Sequence, residues 1–516
     1  MNPPDLYFRG AVDGIMATFG VVVALSWLRA PVLRIVAAPI AAIPVSAATA
    51  VAWSLLTTCL PRADLGLGVV GCRMMEAALC GLAGLFAGVW TPRGRLLPRV
   101  IRGTTITGRS GSSWRRARAA QLQLAGVAVP TLDESKHFKV VGTTGTGKTT
   151  AIQGLIAGAL ARGDKAIIAD PDGTYRTVLH NPGRDDLSLN PLDCDTHQWD
   201  LFGEIEIPTD ADLVARALIP DSATDDRAWR AYARLFVASL LRQSLRAGDR
   251  NVGELHRLVA WAPTAELREL LDGTAAAAYV SEDNARFFAS VRAIASSDLA
   301  FLEPLAACCT GPSVAIRPWV RIAQSQSPTG VLFLPYRGNQ LSTLKGLIAT
   351  WLRLAIFEAM ESGAAARALW FVIDELDALG PIDGLKDALV RLRKYEGRCV
   401  LGLQSISQLS GTYGPAAAQT IIENCGNTLV LRCSAGESGG TARFASMLIG
   451  DREVLRTQTS RTRPTAFGRS ARSRSDSEQI QIERAVLPAE IEQLPDLHGY
   501  LKLASSRTWR RVQIER

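Results

Sequence analysis

The stretch "VVGTTGTGKTTAI", residues 140–152, constrains this chain more than any other. Phe138 to Val141 reads as a buried strand, and Thr149 to Ala161 as a helix. Between them runs Gly142-x4-Gly147-Lys148-Thr149, the spacing of a P-loop. Glycines at those places let successive backbone N–H groups turn toward phosphate oxygens, and the start of the helix adds its dipole. The cradle comprises Gly142, Thr143, Thr144, Gly145, Thr146, Gly147, Lys148, Thr149 and Thr150. Lys148 is placed to reach the β- and γ-phosphates of ATP, and the Thr149 hydroxyl to ligand Mg²⁺. A strand–loop–helix junction of this kind requires an α/β fold with a largely parallel sheet.

A phosphate cradle needs a carboxylate partner at the end of another apolar strand. "ALWFVIDELDALG" supplies it, with Leu369 to Ile373 followed by Asp374 and Glu375. Asp374 is expected to hold Mg²⁺ through water, and Glu375 to act as general base toward the attacking water. A third strand, Cys399 to Leu403, ends at Gln404, where a polar tip can sense the γ-phosphate; a simple strand-end cap is the plainer reading. "KAIIADPDG", "NTLVLRC" and "GYLKLAS" supply further strands. More than 200 residues separate Lys148 from Asp374, too many for a compact core of this type. The surplus, from about Ile207 to Pro312, carries helical periodicity, as in "RAWRAYARLFVASLLRQSL". It reads as an all-α insertion whose Trp229, Tyr232 and Phe236 belong to a core rather than to a base-stacking platform.

The N-terminal end is different in kind. Ile35 to Leu60 holds no charged residue over 26 positions, enough at about 1.5 Å per helical residue to cross a hydrocarbon layer of roughly 30 Å. A second candidate span, residues 66–90, contains Arg73 and Glu76 near one end and the small residues Gly81, Gly84 and Gly88. Gly14 to Leu28 is short for a span and fits an interfacial stretch as well. No acidic residue occurs between Ala77 and Leu132, where eight arginines fall, so the following domain is expected on the cytoplasmic side. The net charge of +8 is thus unevenly spread, with a second basic run from Arg452 to Arg474. That run, rich in Ser, Thr and Arg, is expected to be a flexible loop that touches a DNA backbone or merely links strands. Nine scattered cysteines without a C-x-x-C pair exclude a zinc knuckle and suit a reducing compartment.

Taken together, "KHFKVVGTTGTGKTT", "ALIPDSATDDRAWRAYARLF", "WFVIDELDALG", "LRKYEGRCVLGLQSISQLSGTYG", "IIENCGNTLVLRCS" and "VLPAEIEQLPDLHGYLKL" resemble the type IV coupling proteins of bacterial conjugation, the TraD/TrwB group. The resemblance covers the chain from about Arg102 onward. It implies an α/β RecA-like P-loop ATPase domain with an inserted all-α domain, preceded by N-terminal transmembrane helices. It also implies a homo-hexamer in the bacterial inner membrane that links a relaxase–DNA complex to a type IV secretion channel and pumps single-stranded DNA. Arg393 is, on the same resemblance, the arginine finger offered to a neighbouring subunit's nucleotide, with Arg391 and Arg398 as nearby competitors. The implied domains are a membrane anchor over 1–92, a basic juxtamembrane segment over 93–130, a nucleotide-binding domain over 131–206 and 313–516, and the helical insertion over 207–312. Many relatives carry a sizeable periplasmic segment between their spans, and some a partner-binding tail; neither is evident here. A recruitment receptor whose ATP binding drives assembly, and a chromosome pump of the FtsK/HerA kind, are the competing readings.

Overall fold

The structure is a computed structural model that describes residues 99–108, 121–193, 195–221, 227–307, 311–324, 330–361, 367–436, 439–461 and 474–515. The expected spans (35–60, 66–90 and the stretch 14–28) lie outside the described residues, as does most of 93–120. Among the described residues, no helix is long and apolar enough to cross a membrane.

The described residues contain seventeen strands, in chain order: β1 (Arg99–Gly103), β2 (Ile106–Thr107), β3 (Gln123–Leu124), β4 (Val127–Ala128), β5 (Phe138–Val141), β6 (Lys165–Pro171), β7 (Leu187–Ser188), β8 (Gln198–Trp199) and β9 (Ser313–Val314), then β10 (Val331–Tyr336), β11 (Leu369–Ile373), β12 (Gly397–Leu403), β13 (Asn427–Val430), β14 (Asp451–Arg461), β15 (Arg474–Arg484), β16 (His498–Lys502) and β17 (Trp509–Gln513). Ten of them form one sheet in the order β2-β17-β16-β13-β5-β12-β11-β6-β10-β7. From β13 to β7 every pairing is parallel, and β16 and β17 add antiparallel strands at one side.

Both faces of this sheet are covered, which explains why its central strands are apolar runs rather than alternations. Side chains of period two sort cleanly between the faces. Phe138, Val140, Trp370 and Val372 pack with Ile152, Leu155 and Ile156 of the helix Lys148–Ala161. Val141, Leu369, Phe371 and Ile373 join the opposite core. There the long helix Leu341–Glu361 connects the sheet to the helices that lie between β8 and β9, and Leu218, Phe236, Leu255 and Val291 share one buried cluster with Leu347 and Trp351. Trp229 and Tyr232 pack edge-on or tilted against Phe287, with ring centroids 5.1 and 5.0 Å away.

The two ends of the basic run are strands rather than the flexible loop expected from its composition. Asp451–Arg461 and Arg474–Arg484 pair antiparallel along their whole length, and β1 joins β14 to make a three-stranded sheet. The reason lies across the strands: Arg452 and Arg456 both bond Glu483, and Arg484 bonds Asp451. Arginines that looked free in sequence therefore have carboxylate partners some thirty residues downstream. Residues 462–473 lie outside the described part.

Candidate nucleotide site

The cradle forms at the C-terminal end of β5, where the strands on either side clamp it. Gly142 N–H donates to the Leu403 carbonyl of β12 at 3.1 Å, and Thr143 N–H to the Arg432 carbonyl beyond β13 at 2.9 Å. Within the loop, the Thr146 hydroxyl donates to the Thr143 carbonyl at 2.7 Å. Gly147 sits at φ 103°, and a Cβ there would stand 2.6 Å from Leu497 Cδ2, so both backbone and space demand glycine. Lys148 opens the helix and is buried; its ammonium donates to the Gly142 carbonyl at 2.8 Å. Burial pulls its pKa down, against the pull of the Asp374 and Glu375 charges. Thr144 and Gly145 are exposed and Thr150 half-buried; Thr143 and Thr144 line a cleft of about 310 Å³ with Gln404, Ser405, Ser434 and Thr441.

The sheet order puts the acids within reach. β12 lies between β5 and β11, so the ends of three adjacent strands carry the loop, Gln404 and the Asp374–Glu375 pair. Thr149 Oγ1 donates to Asp374 Oδ2 at 2.6 Å. Gln404 Nε2 donates to Glu375 Oε1 at 2.6 Å. Thus Lys148, Thr149, Asp374, Glu375 and Gln404 converge at one point. Glu375 is half-buried, and burial first, then the Asp374 charge, raise its pKa, while the Gln404 bond lowers it. Gly402 makes this approach possible, since a Cβ there would lie 2.0 Å from the Asp374 carbonyl oxygen.

A residue that sequence reasoning missed completes the group. The Tyr175 hydroxyl, fully buried, donates to the same Asp374 Oδ2 at 3.0 Å. Asp170, at the end of β6, places it by accepting the Tyr175 and Arg176 amides at 2.8 Å each. Burial pushes the Asp170 carboxyl up to about 6, against those bonds. "ADPDGTY" carries a turn signal, but the reach to Asp374 depends on β6 lying beside β11, which no local pattern encodes.

Oxygen donors suit Mg²⁺. Asp374 is 2% exposed, and its Oδ1 is buried without a hydrogen-bond partner while Oδ2 holds Thr149. An unpaired buried carboxylate oxygen beside a threonine hydroxyl fits a hard cation bound with phosphates.

Arg393 is not brought to this point. It is exposed in the turn Leu392–Tyr395 at the start of β12, whereas Gln404 follows its end. Seven strand residues at about 3.3 Å each place the two ends roughly 20 Å apart. Of its competitors, Arg398 is buried and bonds Glu396 at 2.8 Å, while Arg391 is exposed.

Comparison with known proteins gives a consistent picture. Coupling protein TraD of Escherichia coli (strain K12) is 29% identical over 374 residues, 72% of this chain and 51% of TraD. Protein VirD4 of Rhizobium rhizogenes is 30% identical over 128 residues, 24% of this chain and 18% of VirD4. The matches thus span about half or less of the curated relatives' own length. Among solved structures, the bacterial conjugative coupling protein TrwBdeltaN70 in its unbound monoclinic form superposes with a TM-score of 0.70 at 31% identity, covering 81% of this chain and 94% of that one. The plasmid coupling protein TrwB in complex with ADP and Mg²⁺ superposes at 0.69, with the same identity and coverage. The profile of the type IV secretion-system coupling protein DNA-binding domain matches residues 121–515, and the chain belongs to that family.

Proposed function

We propose that this chain is an ATPase that couples nucleotide turnover to the passage of single-stranded DNA into a type IV secretion channel. The observation that carries the reading is the convergence of Thr149 on Asp374 and of Gln404 on Glu375, beside the Lys148 loop. Phosphoryl transfer asks for little covalent help and much positioning, and these contacts are positioning devices. Lys148 supplies positive charge to the β- and γ-phosphates, and Glu375 takes the proton of the attacking water. Gln404 orients Glu375, so a change at the γ-phosphate is felt at the tip of β12. When bound with ATP, Mg²⁺ would neutralise charge on the phosphate oxygens; Thr149 and Asp374 are the residues that would hold it.

Solved structures of TrwB hold ADP with Mg²⁺ and the ATP analogue ADPNP, which supports the same pair of ligands here. In this reading 131–206 and 313–516 form the nucleotide-binding domain, 207–312 an insertion on it, 93–130 a basic juxtamembrane segment, and 1–92 an inner-membrane anchor. The catalytic domain lies in the cytoplasm. The working unit is a homo-hexamer in which Arg393 serves the neighbouring subunit, and a relaxase–DNA complex is the cargo. ATPase assays on the detergent-solubilised full chain, with and without single-stranded DNA, test the proposal. Turnover that rises with DNA and disappears in Glu375→Gln is expected. DNA-independent turnover at the same rate would favour a recruitment receptor over a motor.

A further inference from the structure

Tyr336 ends β10 with its side chain buried, and among the described residues its hydroxyl has no hydrogen-bond partner. A hydroxyl buried without a partner is costly, so where it points matters. The sheet sets that direction. Tyr336 is level with Pro171 of β6, and Ile373 of β11 is level with Ala169 of the same strand. The chain running on from Ile373 to Glu375 therefore comes close to the level of Pro171 on its other side. Tyr336 and Ile373 belong to one buried core, and Tyr175 to the other. Alternation along β11 gives Asp374 to the Tyr175 face, where the two bond, and Glu375 to the Tyr336 face. Phenol and carboxylate thus flank Pro171 from strands two spacings apart, with roughly 10 Å between their backbones. The main chain at Tyr336 is pinned by residues outside the phosphate cradle. The Pro335 carbonyl accepts from Asn190 Nδ2 at 3.0 Å, and the Tyr336 carbonyl from the Asp172 amide at 2.8 Å.

Burial raises the Tyr336 pKa, and of the charges that raise it further Glu375 acts most strongly, ahead of Asp374, Asp170 and Asp172. The phenol therefore keeps its proton wherever Glu375 can serve as base, and its O–H is drawn toward that carboxylate. We propose that Tyr336 is a positioning residue for the attacking water, which it holds against Glu375. This deepens the ATPase reading and rests on it. The water accepts the Tyr336 O–H with one lone pair and gives one of its own O–H groups to Glu375. Its second lone pair forms the bond to the γ-phosphorus. The bond from that phosphorus to the β–γ bridging oxygen breaks, and its electron pair leaves with ADP. The water's proton goes to Glu375, while Tyr336 keeps its own. Gln404 fixes the carboxylate and Tyr336 the water, so base and nucleophile are held by separate strands.

The test measures steady-state ATPase of the detergent-solubilised full chain. Tyr336→Phe should lower kcat roughly 10- to 100-fold, the scale of a reacting atom misplaced by about 1 Å, with KM for ATP and ADP affinity near wild type. Replacing Tyr336 by 4-aminophenylalanine, which keeps an N–H donor at the same place, should recover most of that loss. Replacing it by 4-methylphenylalanine, which fills the space without a donor, should recover none. An unchanged kcat in Tyr336→Phe overturns the proposal. Equal recovery by the two analogues overturns it as well, since Tyr336 would then only fill space. A rise in KM with kcat intact assigns the residue to nucleotide binding instead. Should the melt of Tyr336→Phe fall, the two analogues, matched in size, decide the question alone. Wild-type turnover that survives Glu375→Gln refutes the ATPase reading itself, and the role of Tyr336 with it; turnover that Glu375→Gln abolishes and Tyr336→Phe spares refutes the role of Tyr336 alone.

Discussion

Tyr175→Phe isolates one bond at the heart of the site. Phenylalanine preserves the ring that fills the fully buried position, and removes only the O–H that donates to Asp374 Oδ2 at 3.0 Å. That oxygen keeps its 2.6 Å bond from Thr149, so the carboxylate is loosened rather than stranded. A hydrogen bond to a charged group is worth about 1.5–3 kcal/mol, or roughly 10- to 150-fold in an equilibrium. Groups that orient a metal's ligands cost roughly 10- to 100-fold in affinity when removed. The two brackets overlap, and the half-saturating Mg²⁺ for ATPase should rise by about 10- to 100-fold. Calorimetry of Mg²⁺ binding in the presence of ADP should show the same factor without any turnover, and ADP binding without Mg²⁺ should stay as in wild type. A thermal melt reports the fold separately. If Tyr175 only fills space, the melt changes little and the Mg²⁺ dependence does not move, and the positioning argument fails.

Three further outcomes are expected. Gln404→Ala removes the bond that lowers the Glu375 pKa. Because protonation of a base sets in as pH falls through its pKa, the acid limb of kcat/KM, already above the ordinary glutamate value, should move to still higher pH; an unmoved limb argues against Glu375 as the base. Gly402→Ala puts a methyl 2.0 Å from the Asp374 carbonyl oxygen. Overpacking costs about 1–3 kcal/mol, so the melting temperature should fall by several degrees, and nucleotide should stabilise the variant less than it does wild type; a normal response would mean the strands part without cost. Glu375→Gln and Arg393→Ala should each bind ATP yet lose turnover. Mixed under conditions where subunits demonstrably exchange and rings form, they should recover part of it, and no recovery would count against Arg393 acting in trans.

How much of this was legible beforehand depended on the range of the pattern. The loop around Lys148 and the acids after Ile373 are local signals, because each sits at the end of its own apolar run. That Gln404 belongs with them followed from reading its strand as the neighbour of the Asp374 strand, and the observed order has β12 paired to β11. Tyr175 was invisible for the converse reason: its partner is 199 residues away and is reached only because β6 pairs with β11. Composition misled at the two ends of the basic run. Charge counted along the chain ignores cross-strand partners, and Glu483 serves two arginines that looked unpaired.

Under the proposed assembly, the parallel sheet gives a reason why a single subunit would lack its arginine. All its core strands run the same way, so everything at their C-terminal ends gathers around the Lys148 loop. Everything at their N-terminal ends is carried a strand length away. Arg393 stands at the foot of β12, and Gln404 at its tip. Its guanidinium cannot travel roughly 20 Å along a strand whose seven residues are all buried. Arg398 is nearer the core but is buried, already bonds Glu396, and lies 3.6 Å from Glu134, so it too is committed at the foot of β12. An arginine that serves this nucleotide from the foot of β12 must therefore come from another copy, whose foot abuts this tip. If Arg393 acts in trans as proposed, dependence of turnover on assembly would need no separate regulatory element, because it would follow from the direction in which the strands run.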